Sequence, residues 1–252
     1  MIEGLDRFKT HFAEYTDKYI LIGGAACTVA MENVGQIFRA TKDLEIVLCI
    51  EALDADFGAA FWQFVRDGGY QSQEKGTRDK QFYRFEKPTT AGYPVMLELF
   101  ARTPDVLVLA EGSHLTPIPI NEEISSLSAI LMDDDYYNFL QSGKQIVDDV
   151  QIAGAEHLIP LKARAWLDLT ARKDAGAHVD SDDVKKHKLD VFRLLTIVDP
   201  DFGGDVPERI KADISVFVER MKDETVDLKA AGLGNRQLDE VLTELRGIYG
   251  LS

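Results

Sequence analysis

Hydrophobic and polar residues follow two different periods along the first half of this chain, and the periods predict helices and strands. Apolar residues at helical spacing predict amphipathic helices over residues 5–18 and 54–67. The short apolar run 19–22 ends at a pair of glycines and predicts a buried strand that enters a tight turn. Residues 25–33 favour a helix directly after that turn. A strand, a glycine turn and a helix in this order would form an anion-binding corner.

Two further strand segments carry carboxylates in apolar surroundings. Alternation with period two over residues 43–50 places Asp43 and Glu45 on one face of a strand. A hairpin of two strands is predicted over residues 81–86 and 94–101. Glu98 lies in the middle of the second of these strands. Charged residues seldom lie within apolar strands unless they are paired or bind a metal, although a half-solvated sheet would also explain them.

The pattern becomes almost entirely helical in the second half of the chain. Edge strands are predicted over residues 106–109 and 118–120, and a short helix over 133–141. Four further helices are predicted over residues 160–173, 182–198, 206–222 and 235–249. We therefore place a domain boundary near residues 153–158, which gives domains of residues 1–155 and 156–252. The predicted fold class is α+β, a mixed β-sheet with flanking helices followed by a C-terminal helical bundle.

Composition and charge limit the classes of function. The 252 residues are 45% hydrophobic, which suffices for a large packed core. Neither a run that could span a membrane nor a signal peptide is evident, so we expect a cytoplasmic protein with no membrane partner. The net charge of -15 argues against unaided binding to a nucleic-acid backbone. Cys27 and Cys49 are predicted to be reduced core residues.

Motifs for other common chemistries are missing from the sequence. It contains no P-loop and no dinucleotide-binding glycine fingerprint, and its five histidines lack zinc-ligand spacing. No serine or cysteine has the context of an activated nucleophile.

Three acids on strands suit a different reaction, metal-assisted phosphoryl transfer. Hard cations are held by carboxylate oxygens. Asp43 and Glu45 project to one side of a strand and could bridge two metal ions roughly 3.5 to 4 Å apart. Glu98 on a neighbouring strand would complete one coordination shell.

This combination resembles the DNA polymerase β-like nucleotidyltransferase superfamily. The resemblance rests on Ile22-Gly23-Gly24, on Asp43-Leu44-Glu45 and on the later strand acid Glu98. The long gap between the glycines and the acids, with Arg39-x-Thr41-x-Asp43, looks most like the abortive-infection (AbiEii-like) toxin branch, whose members often pair with an antitoxin. Two later segments, Leu161 to Ala165 and Lys186 to Phe192, resemble further motifs of that branch.

The resemblance implies a magnesium-dependent nucleotidyltransferase that moves an NMP from an NTP to an acceptor hydroxyl and releases pyrophosphate. It implies that Asp43, Glu45 and Glu98 are catalytic and hold two Mg²⁺ ions, for which Mn²⁺ would substitute. Lys162 is implied as a contact to the nucleotide phosphates. The other residues that it implies for nucleotide binding are Gly23, Gly24, Arg39, Thr41, Lys188 and Asp190.

Two alternatives remain open at the level of sequence. Ala25 stands where many active relatives have Ser or Thr, and Glu45 stands where many have Asp. Both favour a rival in which the chain is a catalytically reduced binding protein, a component of a toxin and antitoxin pair. The sequence does not identify the acceptor, so a small molecule, a protein and tRNA all stay open. The tRNA hypothesis depends on basic residues that could gather on one surface. These are Arg164, Arg172, Lys173, Lys185, Lys186 and Lys188.

Overall fold

A computed structural model of the chain describes residues 2–49, 52, 54–72, 82–100, 130–131 and 133–251. Their contacts group the chain into two units, Met1–Ile120 with Lys144–Ala153, and Asn121–Gly143 with Gly154–Ser252. The second unit thus draws on two stretches of chain, whereas the sequence analysis placed a single boundary near residues 153–158. The edge strands predicted over 106–109 and 118–120 lie outside the described residues.

The first unit contains a mixed β-sheet with flanking helices, which confirms the predicted α+β class. Its strands are β1 (Tyr19–Ile22), β2 (Asp43–Leu48), β3 (Gln71–Ser72), β4 (Phe82–Glu86), β5 (Met96–Phe100), β6 (Lys144–Val147) and β7 (Val150–Ala153). The described strands form one sheet in the order β3-β4-β5-β2-β1-β7-β6. Strand β2 is parallel to β5 and β1 is parallel to β7, while the other neighbours are antiparallel.

The helices of this unit are α1 (Leu5–His11), the 3₁₀ helix Ala13–Lys18, α2 (Gly23–Asn33) and α3 (Ala55–Gly68). The single helix predicted over residues 5–18 is wrong, because the chain leaves helical geometry at Phe12 and again at Tyr15. Phe12 is fully buried in an aromatic cluster with Phe8 and Phe64, at ring-centroid distances of 4.5 and 5.3 Å. Helix α3 is as predicted, since it ends at Gly69 in the left-handed conformation.

Strands β6 and β7 form a hairpin that the sequence analysis missed. Its two-residue turn consists of Asp148 and Asp149, with φ angles of 50° and 60°, where Asn or Gly would have been the usual signal. Strand β7 is buried along its whole length and lies beside the central strand β1. The Gln151 side-chain amide donates to the backbone oxygen of Tyr19 at 3.0 Å, which satisfies a buried polar group.

The described part of the second unit is helical from Gly154 onward, apart from its connecting loops. Its helices are α4 (Asp134–Ser142), α5 (Ala155–Asp174), α6 (Ser181–Leu195), α7 (Glu208–Met221) and α8 (Leu238–Ile248). Helix α5 contacts α4, α6 and α7, and α7 contacts α8. A buried network joins three of them, because Asp213 accepts from Tyr136 at 3.0 Å and from Arg164 at 2.8 Å.

Two further predictions concern burial and membrane contact. Cys27 and Cys49 are both buried thiols, as predicted. None of the described helices combines the length and the apolar character that a bilayer-crossing segment needs.

Candidate active site

The register of two parallel strands brings the sheet acids together. Glu45 on β2 and Glu98 on β5 are direct Cα partners across the sheet, and Asp43 pairs in the same way with Met96. Partners in register project to the same face, and so do residues two apart on one strand. All three carboxylates therefore lie on one face of the sheet in the first unit.

The glycine pair begins helix α2 and lies against the same acids. Gly23 has a φ of 62°, and the Gly24 backbone N–H donates to Glu45 Oε2 at 2.9 Å. A carboxylate is favourable at a helix N-terminus, since both the macrodipole and the unpaired N–H groups attract it. A Cβ atom on Gly23 would lie 1.4 Å from Glu45 Oε2, and one on Gly24 would lie 2.7 Å from Thr41 Oγ1. The absence of side chains at 23 and 24 is therefore what allows Glu45 and Thr41 to approach the helix.

Glu98 is the most deeply buried of the three acids, with 7% of its surface exposed. Burial and the nearby charge of Glu45 raise the pKa of its carboxyl to about 8, with a further contribution from Asp43, while Arg84 opposes the shift. Burial is the main cause of this raised pKa, and the charges of Glu45 and Asp43 add to it, so the ionised form of Glu98 is disfavoured here despite Arg84. Strongly shifted carboxyl groups of this kind are typical of functional sites.

Arg84 on β4 is the residue that sequence reasoning missed at this site. It is the Cα partner of Glu98 across the β4–β5 hairpin, and its Nε and Nη2 atoms both donate to Glu98 Oε1, at 3.0 and 2.5 Å. The hairpin itself was predicted, and an arginine between apolar neighbours in it was the available signal. Only the register shows which residue of the facing strand it meets.

The donor set suits a divalent cation by chemistry, since it consists of carboxylates whose mutual repulsion a cation would relieve. Within the described ranges, however, no three His, Cys, Asp or Glu side chains are already gathered as a ligand cluster. The hydrogen bonds explain this, because Glu45 is drawn to the Gly24 N–H and Glu98 Oε1 to the Arg84 guanidinium.

The segment between α2 and β2 carries the two remaining candidates of the first unit. Thr41 lies at Gly24, so it belongs to the same constellation as the glycine pair. The guanidinium of Arg39 lies 5.3 Å from the centroid of the Phe38 ring. Neighbouring Ile37 is 92% exposed.

The candidates in the second unit divide into two groups. Lys162 on α5 and Asp190 on α6 are buried together, with Nζ 3.4 Å from Oδ2, and Arg193 lies 3.3 Å from the other oxygen of Asp190. Lys188 instead bonds to Glu224 at 2.7 Å and to the backbone oxygen of Thr225 at 3.0 Å. The structure therefore joins Lys162 to Asp190 and gives Lys188 a different set of partners.

Comparisons with known proteins add one structural likeness. A scan against protein families gave no match, and neither did a search of curated proteins. Among solved structures, the chain is similar to an antigenic nucleotidyltransferase-like protein from Paracoccidioides brasiliensis. The identity is 15% over 90% of this chain and 92% of that one, with a TM-score of 0.41. A likeness of this size does not establish a shared activity, so the inference of function rests on the site itself.

Proposed function

We propose that the chain is a magnesium-dependent nucleotidyltransferase that transfers an NMP from an NTP to an acceptor hydroxyl. The observation that carries this proposal is the meeting of three carboxylates on one face of β2 and β5 with the glycine start of α2. The raised pKa of Glu98 supports it, because this buried carboxyl lies near the charges of Glu45 and Asp43, and a cation would stabilise such a group of acids.

Each residue of the site has a proposed role. Asp43, Glu45 and Glu98 would hold Mg²⁺, which when bound supplies charge neutralisation for the triphosphate and the leaving pyrophosphate. The Gly24 N–H would donate to a phosphate oxygen once the Glu45 carboxylate turns to the cation. Asp43 and Glu45, being two apart on β2, would fix the approach of the NTP relative to the acceptor.

Glu98 would also act on the acceptor. In metal-free protein a pKa of about 8 keeps this carboxyl largely protonated at neutral pH. A bound cation would stabilise the carboxylate, which is the form that accepts the proton of a hydroxyl. As that proton moves to Glu98, the acceptor oxygen forms a bond to the α-phosphorus, and the bond from the α-phosphorus to the pyrophosphate oxygen breaks. The products are a nucleotidylated acceptor and pyrophosphate.

Charge pairing in the second unit favours a small molecule or a protein as the acceptor over tRNA. Five of the six basic residues considered for tRNA contact have a carboxylate within 3.4 Å. The pairs are Arg164 with Asp213, Arg172 with Asp168, Lys185 with Asp182, Lys186 with Asp183 and Lys188 with Glu224. Binding to a phosphate backbone releases counterions from the nucleic acid, and basic residues already neutralised by acids contribute little to that.

Lys162 has a separate proposed role. The sequence resemblance implies that its ammonium balances the charge of the triphosphate. In the structure its Nζ pairs with Asp190, whose other carboxylate oxygen pairs with Arg193. Arg39, Thr41 and Lys188 are proposed as weaker contributors to nucleotide binding.

Calorimetric titration tests the proposal. Each of the four NTPs is titrated with Mg²⁺ into the wild-type protein, into Asp43→Asn and into the matched control Asp67→Asn, whose carboxylate lies exposed on α3 of the same unit. We expect magnesium-dependent binding in the wild type and the control, and loss of at least tenfold in affinity for Asp43→Asn, since the first metal ligand is removed. Equal binding by all three proteins would overturn the assignment of Asp43.

The second candidate function is a binding protein on the same site without turnover. The bond between Glu45 and Gly24 favours it, because a carboxylate already seated at the helix N-terminus competes with a phosphate. This function predicts that the chain copurifies with a dedicated partner protein, such as an antitoxin. It also predicts that NTP binding in the titration does not depend on Mg²⁺.

A further inference from the structure

Arg84 occupies a position from which it can control the geometry of Glu98. We infer that Arg84 is a positioning residue, which holds Glu98 Oε1 so that the second oxygen, Oε2, is presented to the cation and acceptor. This inference rests on the proposed function, because it concerns the same site. It assigns a function to a side chain that carries none of the sequence motifs.

The backbone provides the first support. Arg84 and Glu98 are Cα partners on antiparallel strands, so their side chains leave the sheet on the same face at neighbouring positions. A slip of one residue in this register would turn one of them to the opposite face. The pairing of β4 with β5 over five residue pairs therefore determines that this arginine meets this glutamate.

The hydrogen bonds provide the second support. Two nitrogens of one planar guanidinium, Nε and Nη2, both donate to Oε1, and neither bond ends on Oε2. Because both bonds end on one oxygen, the planar guanidinium holds Oε1 from two directions, whereas a lysine ammonium offers no such rigid pair of donors. One oxygen is thereby anchored, and the other is left for a ligand.

Burial provides the third support. The Arg84 side chain is 19% exposed and the Glu98 side chain 9%, so the pair is largely withdrawn from solvent. Exposed pairs fluctuate and contribute little, whereas a buried, doubly bonded arginine holds one geometry. Residues that orient a metal ligand in this way typically change metal affinity about 10-fold to 100-fold when they are replaced.

The test uses Mn²⁺ as the probe in the presence of an NTP, with bound Mn²⁺ measured by electron paramagnetic resonance. Wild type and Asp43→Asn are measured first. If the wild type binds no Mn²⁺ that depends on Asp43, the proposed function fails, and that result is separate from any effect at Arg84.

With binding established, Arg84→Lys is compared with the control Arg66→Lys, an exposed arginine on α3 whose partner is Gln63. We expect Arg84→Lys to weaken Mn²⁺ binding about tenfold and to change the spectrum of the bound ion, while the control matches the wild type. A positive charge is retained in both variants, so a loss in Arg84→Lys reports the rigid pair of donors rather than the charge. Wild-type affinity and spectrum in Arg84→Lys would overturn the inference.

A double-mutant cycle separates positioning from a general effect on folding. In a Glu98→Gln background, Arg84→Lys should have no further effect on Mn²⁺ affinity, since the carboxylate that it positions is gone. The same tenfold loss in that background would also overturn the inference. Thermal unfolding shows whether each variant folds. If Arg84→Lys does not fold, Arg84→Gln is the second variant, and the spectrum of its bound Mn²⁺ is compared with that of the wild type.

Discussion

Replacement of Gly23 by alanine tests the closest contact in the site. A Cβ at residue 23 would lie 1.4 Å from Glu45 Oε2, far inside a normal contact of about 3.5 Å. The carboxylate would have to leave, and its bond from the Gly24 N–H at 2.9 Å would break. The positive φ of 62° adds backbone strain for any residue other than glycine.

The chain offers a matched control in Gly35. It has a φ of +75°, but nothing lies within 4 Å of the position that its Cβ would take. Gly35→Ala therefore costs only the strain of the left-handed conformation, about 1 kcal/mol after the gain in the unfolded state. Gly23→Ala should cost about 3 kcal/mol, because a hydrogen bond to a charged group contributes about 2 kcal/mol more. The difference isolates the contact between the glycine turn and Glu45.

The assay is urea unfolding followed by tryptophan fluorescence. The chain has two tryptophans, Trp62 on α3 of the first unit and Trp166 on α5 of the second. In a Trp166→Phe background, the fluorescence of Trp62 reports on the unit that holds the site. Equal free energies of unfolding for Gly23→Ala and Gly35→Ala would refute the reasoning. So would a difference between them that persists in a Glu45→Ala background.

Three further predictions concern buried titratable groups. The pKa of Glu98, about 8, lies above its ordinary value of 4.5, so the folded state binds the proton more tightly than the unfolded state. In metal-free protein the free energy of unfolding should therefore fall as pH rises from about 5 to 8, by up to about 1.4 kcal/mol per pH unit. Urea titrations at several pH values measure this slope, and Glu98→Gln should remove it. An unchanged slope in Glu98→Gln would contradict the prediction. Burial lowers the pKa of His157, so its contribution to the stability of the second unit should be fully present above its ordinary pKa of 6.5 and be lost as pH falls through its lower pKa in the folded protein. Trp166 fluorescence follows the unfolding of this unit. His157→Phe should remove this contribution to the pH dependence, and an unchanged pH dependence would count against the assignment. Asp190→Asn removes the carboxylate that pairs with Lys162 and Arg193, so it should cost about 3 to 5 kcal/mol of unfolding free energy. The exposed control Asp182→Asn should cost less than about 0.5 kcal/mol, and similar costs for the two variants would refute the buried pairing.

Local patterns in the sequence were sufficient for the elements that carry the first-unit candidates. The apolar run before the glycine pair predicts β1, and the period-two alternation after it predicts β2 with Asp43 and Glu45 on one face. These inferences succeed because strand periodicity and glycine turns depend on neighbours in the chain. The same local patterns did not predict the hairpin at residues 144–153. Its turn consists of two aspartates, whereas glycine or asparagine would have indicated a turn there.

The partners of those residues were decided by the tertiary structure. Glu98 lies 53 positions after Glu45 in the chain, and only the parallel pairing of β5 with β2 makes them neighbours. Arg84 meets Glu98 through the register of a hairpin, and Lys162 meets Asp190 through the packing of two helices. Such contacts depend on register and packing between distant segments, which a periodic pattern does not encode. The sequence alone determined which residues could carry the chemistry, and the fold decided which of them act on one another, because charge interactions depend on distance in space rather than along the chain.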